Sequence, residues 1–158
     1  MKRMLTVSIA ALLFLSPTTA PAEKDQVTAC YSGAYRMFQG SSELEVVMWW
    51  DADGVFTDES GKGPLHGAKF HSEGVQRGVD EATREGFGYD RTVDKDGDII
   101  ISQVSYTGMV SIHKALEGTG KYKGISGSTK SERISSDTSV PGKYKVCRRF
   151  IGTFKMPK

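Results

Sequence analysis

The chain has 158 residues, of which 21 are Lys or Arg and 19 are Asp or Glu, for a formal net charge of +2. Without Lys2 and Arg3, which belong to the N-terminal pattern described next, the charged residues balance at 19 of each sign. That balance does not support a general attraction to nucleic acid or to an anionic membrane surface, and neither is expected as a partner.

The first 22 residues have the pattern of a cleavable export signal. Lys2 and Arg3 are followed by an apolar stretch, Leu5–Leu15, and then by the small residues of Thr18–Ala22. We expect cleavage after Ala20 or Ala22 and a periplasmic or secreted protein. A retained anchor is the alternative, although the apolar stretch is short for a bilayer span. Residues 23–158, about 136 in number, are enough for a single domain.

The mature chain contains two cysteines, Cys30 and Cys147, near its opposite ends. An exported protein meets an oxidising compartment, so we expect a disulfide between them. A metal site built on two cysteines and a reactive thiol pair are weaker alternatives, because the C-x-x-C spacing is missing.

Short alternating runs predict β-strands from the region of Cys30 to the C-terminus. Around Cys30, polar residues on one face of the predicted strand alternate with residues on the other face that include aromatic side chains. Glu43–Trp50 alternates with Leu44 and Trp50 on one face, and Asp51–Gly54 is predicted to turn the chain. The remaining strands are expected within 66–76, 83–93, 98–106, 108–116, 121–134 and 143–154.

The predicted strand at 83–93 places Glu85, Phe87 and Tyr89 in one phase, and Gly86, Gly88 and Asp90 in the other. We expect the aromatic phase to face the interior. In the last predicted strand, Cys147 shares a face with the lysines, and Phe150 lies on the other face.

Both cysteines fall on outward faces of the first and last predicted strands. A disulfide requires their Cα atoms to lie within about 7 Å, and the ends of a sheet meet most readily when it closes. We therefore predict an all-β protein, a single antiparallel barrel of eight or nine strands.

Several segments resemble exported bacterial proteins of the allene oxide cyclase barrel-like group, which shares its architecture with plant allene oxide cyclases and dirigent proteins. The likeness covers roughly residues 44–130 and is carried by Tyr89–Asp98, Gly118–Ser128, Gly63–Ala68 and Glu73–Gln76. The resemblance implies an eight-stranded barrel with a hydrophobic cavity, often trimeric in the plant relatives. The active-site residues of the plant cyclase have no match here, so that activity is not carried over.

Metal and cofactor sites are not predicted. Asp94, Asp96 and Asp98 lack the glycine and the bidentate acid of an EF-hand loop, so Gly97 and its neighbours indicate a β-turn. Asp51 and Asp53 are interpreted in the same way. His66, His71 and His113 are expected at the surface rather than around zinc.

Two further kinds of site lack their motifs. The glycines of 118–127 do not follow the order of a phosphate loop, and no G-x-S-x-G elbow supports Ser-His-Asp catalysis.

Glu85 and Arg148 share phases with apolar residues and are candidates for interior charges. We expect Arg148 to orient an anionic or carbonyl group of a ligand, and four aromatic residues to form the apolar wall: Trp50, Phe70, Tyr89 and Tyr106. Glu85 is the candidate catalytic acid or base, with Arg148 or Tyr106 as stabiliser. The alternative is that a bulge shifts the phase, or that both charges lie at a barrel rim in solvent.

Three functions are compatible with these features. The leading one is luminal binding of a small, mostly apolar molecule, and the second is a cyclase or isomerase acting on such a molecule. The third is an interaction or oligomeric scaffold that uses the exposed Trp49.

Overall fold

The computed structural model describes residues 27–39, 46–78, 83–152 and 154–156. The predicted signal peptide, residues 1–22, and the start of the strand predicted at Glu43 lie outside these ranges. The eight strands are β1 Val27–Gln39, β2 Val46–Asp58, β3 Lys69–Arg77, β4 Glu85–Val93, β5 Ile99–Thr107, β6 Val110–Gly118, β7 Ser128–Asp137 and β8 Lys143–Ile151.

The strands form a closed antiparallel barrel in which each strand pairs with the next and β1 pairs with β8. The prediction of a closed all-β barrel is therefore confirmed, with eight strands in the described part of the chain. The segments 108–116 and 121–134, for which two or three short strands were expected together, contribute β6 and β7, with a 3-10 turn at Gly120–Tyr122 between them. No helix among the described residues is long and apolar enough to cross a membrane.

The disulfide joins Cys30 of β1 to Cys147 of β8, as predicted. The two residues are direct partners in the ladder, with Cα atoms 4.1 Å apart. The bond closes a loop with a sequence separation of 117 residues and lies on the outside of the barrel seam.

The turn predicted at Asp51–Gly54 is wrong, because β2 runs straight through it and pairs with β1 and β3 on either side. Gly54 is a luminal strand residue. A Cβ there would lie 2.5 Å from Cε1 of Phe70 and 2.5 Å from Cβ of Tyr31. Glycine at 54 therefore makes room for neighbouring rings rather than for a reversal of the chain.

The two faces of β4 are the reverse of the expectation. Gly88 and Asp90 are buried in the interior, whereas Phe87 and Tyr89 are about half exposed on the outside, at 54% and 48%. The cause is Trp50 of β2, whose indole ring packs inside the barrel against Gly74 of β3 and Gly88 of β4. A Cβ at Gly88 would lie 2.8 Å from Cζ2 of Trp50, and one at Gly74 would collide with the same ring.

The interior is filled differently at its two ends. At the end where β1 ends and β8 begins, Trp50 stacks edge-on against Tyr106 with ring centroids 5.0 Å apart, and Tyr31 packs against Tyr144 at 6.1 Å. The opposite end contains two apolar clusters, one around Phe56, Phe70 and Phe150 and one around Ile100, Ala115, Tyr122 and Ile125. The first end is filled by side chains, and the second contains the cavity described below.

The turn predicted at Asp94–Asp98 is confirmed, with Gly97 at φ 87°. Asp94 accepts hydrogen bonds from the backbone N–H groups of Asp96 and Asp98, and its carboxylate lies 2.6 Å from Nζ of Lys121. Burial raises the pKa of Asp94, but hydrogen bonds from Lys121, Tyr122 and the turn N–H groups outweigh it and bring the pKa down to about 2.

Removing the disulfide tests its contribution to barrel closure. On the chain-entropy account, a loop of this length is worth about 4–5 kcal/mol, so the double variant Cys30→Ala/Cys147→Ala should lose about 4 kcal/mol of unfolding free energy while keeping a β-type far-UV spectrum. Urea titration measures the loss. The wild-type protein unfolded with excess dithiothreitol is the control and should match the variant, whereas a variant as stable as the oxidised protein would contradict this account.

The Asp94 turn predicts an acid-dependent contribution to stability. The folded-state pKa of Asp94, about 2, lies below its ordinary value of 3.8. The stabilisation is therefore complete above the ordinary value and is lost as the pH falls toward the folded value. The difference in melting temperature between wild type and Asp94→Asn should be large at about pH 6 and shrink steadily below about pH 4. Lys95→Gln, in the same turn but exposed, should melt like wild type; a difference that is constant with pH would contradict the assignment.

Candidate functional site

A cavity of about 720 Å³ occupies the barrel end at which β1 begins and β8 ends. Its wall is mostly apolar and its mouth is formed by the loop after β2 and the residues after β8. The apolar members are Val27, Phe56, Pro64, Leu65, Ile100, Tyr122, Phe150, Phe154 and Met156. The exposure of Glu59, Ser60 and Met156 places the mouth at the protein surface.

The cavity's inner end is polar and belongs to a continuous chain of buried hydrogen bonds. Oδ2 of Asp90 (β4) lies 2.5 Å from Nδ1 of His113 (β6), and Nε2 of His113 lies 2.9 Å from Oγ of Ser131 (β7). Nε of Arg148 (β8) donates to the same Oγ at 2.8 Å. All four residues are at least nine-tenths buried, so the chain connects a buried carboxylate to a buried guanidinium.

The two ends of this chain fix the direction of its outer hydrogen bonds. Arg148 can only donate, so Oγ of Ser131 accepts from its Nε. A carboxylate can only accept, so Nδ1 of His113 carries a proton and donates it to Oδ2 of Asp90. Oγ of Ser131 keeps a proton and a second lone pair for its contact with Nε2 of His113.

Two residues of the cavity wall each have a buried polar atom without a hydrogen-bond partner within the described structure: Oδ1 of Asp90 and Oγ1 of Thr129. Asp90 is 8% exposed and Thr129 is 6% exposed. Buried polar atoms are almost always hydrogen-bonded, and an unpaired carboxylate oxygen is costly. The pair therefore marks a polar region beside the cavity whose hydrogen bonding is incomplete.

Arg148 itself is engaged by the protein. Besides Ser131 Oγ, its Nη2 donates to the carbonyl oxygens of Met109 at 2.9 Å and Ser131 at 3.1 Å. Its guanidinium lies 5.7 Å from the ring centroid of Tyr106. Burial raises the pKa values of Tyr31, Tyr106 and Tyr144, which keeps these phenols neutral beside it.

The residues predicted to line the ligand site lie partly on the inner and partly on the outer face of the barrel. Trp50, Phe70, Tyr106 and Arg148 are inside the barrel, but they pack beside or beyond the polar chain and are not among the described residues of the cavity wall. The expectation that Tyr89 faces the interior is wrong, because β4 is turned the other way.

Glu85 is also on the outer face, where its carboxylate pairs with Arg77 of β3 at 3.0 Å. The expectation of an interior Glu85 is therefore wrong, and a catalytic contact with a luminal molecule is not available to it. The two strands place these residues directly opposite each other, which is the ordinary position of a cross-strand ion pair.

The histidines do not converge on one site. His71 is on the outer face, His66 contacts Asp58 at 3.2 Å in the loop after β2, and His113 is buried in the lumen. The expectation of three surface histidines is wrong for His113. Among the described residues, Asp51, Asp53 and His71 bring ligand atoms within 4.8 Å of one another, but on the solvent side of β2 and β3.

Sequence reasoning missed Asp90, His113 and Thr129 as site residues. Asp90 was assigned to the outward phase because Gly86 and Gly88 share it. In the strand of His113, Ser111, His113 and Ala115 alternate with Val110, Ile112 and Lys114. Neither phase of that strand is clearly apolar, and the direction depends on the rest of the barrel.

No protein-family model and no curated protein matches the sequence. Among solved structures, the chain is similar to the pterocarpan synthase dirigent protein PsPTS1, with a TM-score of 0.52 and 10% identity over 87% of this chain and 97% of that one. It also matches the pterocarpan synthase dirigent protein GePTS1, with a TM-score of 0.48 and 13% identity over 90% of this chain and 100% of that one. At such low identity the likeness to PsPTS1 concerns the fold alone: this chain has the closed eight-stranded barrel fold of a dirigent protein.

Proposed function

We propose that this protein binds a small, largely apolar molecule in the lumen of its barrel. The observation that carries the proposal is the cavity of about 720 Å³ behind a surface mouth. Ligand sites commonly measure about 300–1,000 Å³ and combine an apolar wall with a few polar groups. This cavity has that composition, with Phe56, Ile100 and Phe150 on its wall and Asp90 and Thr129 at its polar end.

The fold likeness supports the proposal by analogy. PsPTS1 is named as a pterocarpan synthase, so the same type of barrel serves an activity on a small organic molecule in that protein. One fold hosts many functions, and the cavity of this chain has its own polar groups. The analogy therefore supports a luminal site and leaves its chemistry to the residues present here.

The disulfide supports a place of action outside the cytoplasm, either periplasmic or secreted. Stable disulfides are typical of oxidising compartments, and Cys30 and Cys147 are linked. The export signal predicted for residues 1–22 agrees with this location.

Filling the cavity tests the proposal. Thr92→Phe places a ring on the cavity wall from a buried position of β4, and it should weaken binding of the neutral fluorophore N-phenyl-1-naphthylamine at least about tenfold because the ring occupies the binding volume. Fluorescence titration measures the affinity, and thermal melting checks that the variant is folded.

The matched control is Thr107→Phe, the same substitution at an exposed position near the other end of the barrel. It should bind the fluorophore like wild type. Wild-type protein that does not bind the fluorophore, or a folded Thr92→Phe variant that binds as tightly as wild type, would contradict luminal binding.

A second candidate function is acid–base catalysis on a luminal substrate, as in a cyclase or isomerase. The supporting observation is that the hydrogen-bond chain ends in the carboxylate of Asp90, which is a residue of the cavity wall. Asp90 takes the place that Glu85 was expected to have. His113 behind it fixes the orientation of the carboxylate, in the way that second partners orient catalytic groups.

Hydrogen exchange at carbon tests this catalytic function. In deuterated buffer, wild-type protein should accelerate exchange of the α-hydrogens of the apolar ketone 2-tetralone, and Asp90→Asn should not, because an amide is not a base at neutral pH. Proton NMR follows the exchange. The control Glu85→Gln should retain the full acceleration, and equal rates for Asp90→Asn and wild type would remove the catalytic function.

A further inference from the structure

The charge of the cavity indicates the class of molecule that it takes. Resting on the proposed luminal binding, we infer that the natural occupant is a small organic cation: a protonated amine on an apolar, preferably aromatic body, with its ammonium group bound by the carboxylate of Asp90.

The described residues of the cavity wall carry one sign of charge. Three are carboxylates, Asp58, Glu59 and Asp90, and none is Lys or Arg. Both ring nitrogens of His113 are engaged within the protein, by Asp90 and by Ser131. Low-dielectric walls focus such a field, so cations are concentrated in the cavity and anions are repelled.

The inner end of the cavity carries a carboxylate, because Asp90 lies on its wall with 11% of its side chain exposed. His113 contacts Oδ2, and no described residue donates to Oδ1. An ammonium group donates to a carboxylate in a short, charge-assisted hydrogen bond, which is about twice as strong as the bond from a neutral hydroxyl. Thr129, whose hydroxyl also has no partner, lies on the same wall, and –NH₃⁺ has three donors to distribute.

Arg148 does not provide the hydrogen-bond donor that Oδ1 of Asp90 lacks. Its Nε and Nη2 are used by Ser131 and by the carbonyl of Met109, and it is not among the described residues of the wall. Ser131 and His113 separate it from Asp90 in the hydrogen-bond chain. The hydrogen bonds of the guanidinium given above therefore leave the carboxylate of Asp90 to His113 and to an occupant.

The remaining wall suits an organic cation rather than a hydrated metal ion. Phe56, Tyr122 and Phe150 offer ring surfaces, which bury an apolar body and attract a cation through their quadrupoles. At the mouth, Asp58 accepts from Ser60 Oγ and from the backbone N–H of Gly63. These bonds lower the pKa of Asp58 and keep it ionised along the path of entry.

A matched ligand series tests the inference. Displacement of bound N-phenyl-1-naphthylamine is measured for 1-naphthylmethylamine, 1-naphthalenemethanol and 1-naphthoate, which share one ring system and differ in the charge of a single group. The ammonium compound should bind at least about tenfold more tightly than the alcohol, since its hydrogen bond to Asp90 is charge-assisted. The carboxylate should bind most weakly.

Single-residue variants test which carboxylate causes the preference for the ammonium compound over the alcohol. Asp90→Asn should reduce the ratio of ammonium to alcohol affinity to about one, because the charge at the buried acceptor is gone. Glu59→Gln at the exposed mouth should reduce the ratio partially, without touching the buried chain. The control Glu73→Gln, an exposed carboxylate on the outer face of β3, should leave the ratio unchanged. The wild-type comparison does not depend on any variant folding.

The outcomes separate this inference from the proposed function. If the fluorophore binds but the three compounds bind equally, or the alcohol or carboxylate binds most tightly, the cavity binds ligands and the cationic class is wrong. If the preference for the amine is present in Asp90→Asn as in wild type, the assignment to Asp90 is wrong. If neither the fluorophore nor any of the three compounds binds, luminal binding fails and the inference fails with it.

Discussion

Closure of β1 onto β8 is the constraint on which the other features depend. The ladder between these strands, together with the bond between Cys30 and Cys147, removes both free sheet edges and separates an inside from an outside. Once the sheet is closed, each inward side chain is withdrawn from bulk water. Polar residues on that face must then find partners within the lumen. The hydrogen-bond chain from Asp90 to Arg148 meets that requirement.

The packing of Trp50 determines which residues reach the lumen from β4. Its indole needs the space above Gly74 and Gly88, where any side chain would collide with it. Since alternate strand residues share a face, Gly88 on the inside also places Asp90 there. The aromatic residues Phe87 and Tyr89 are displaced to the outer surface. One large ring on β2 thus positions the carboxylate that faces the cavity.

The lumen combines a buried hydrogen-bond chain with a negatively charged cavity. Asp90 and Arg148 lie at the two ends of that chain, with His113 and Ser131 between them. The carboxylate of Asp90 also belongs to the wall of a cavity whose other described carboxylates are Asp58 and Glu59. The proposed acid–base chemistry and the inferred preference for an organic cation both use the charge of Asp90.

Local chemistry was sufficient to predict the strands, the Asp94–Asp98 turn, the disulfide and, through the positions of Cys30 and Cys147, the closed barrel. Turn residues express local backbone geometry, and two cysteines in an exported chain leave only one possible bridge, so neither prediction needed the tertiary packing. The site depended on the tertiary structure. Which phase of β4 faces inward was decided by the ring of Trp50, and the contact between Asp90 and His113 joins strands that are not neighbours in the barrel. Period-two patterns distinguish two faces, but only packing across the lumen decides which face is inside.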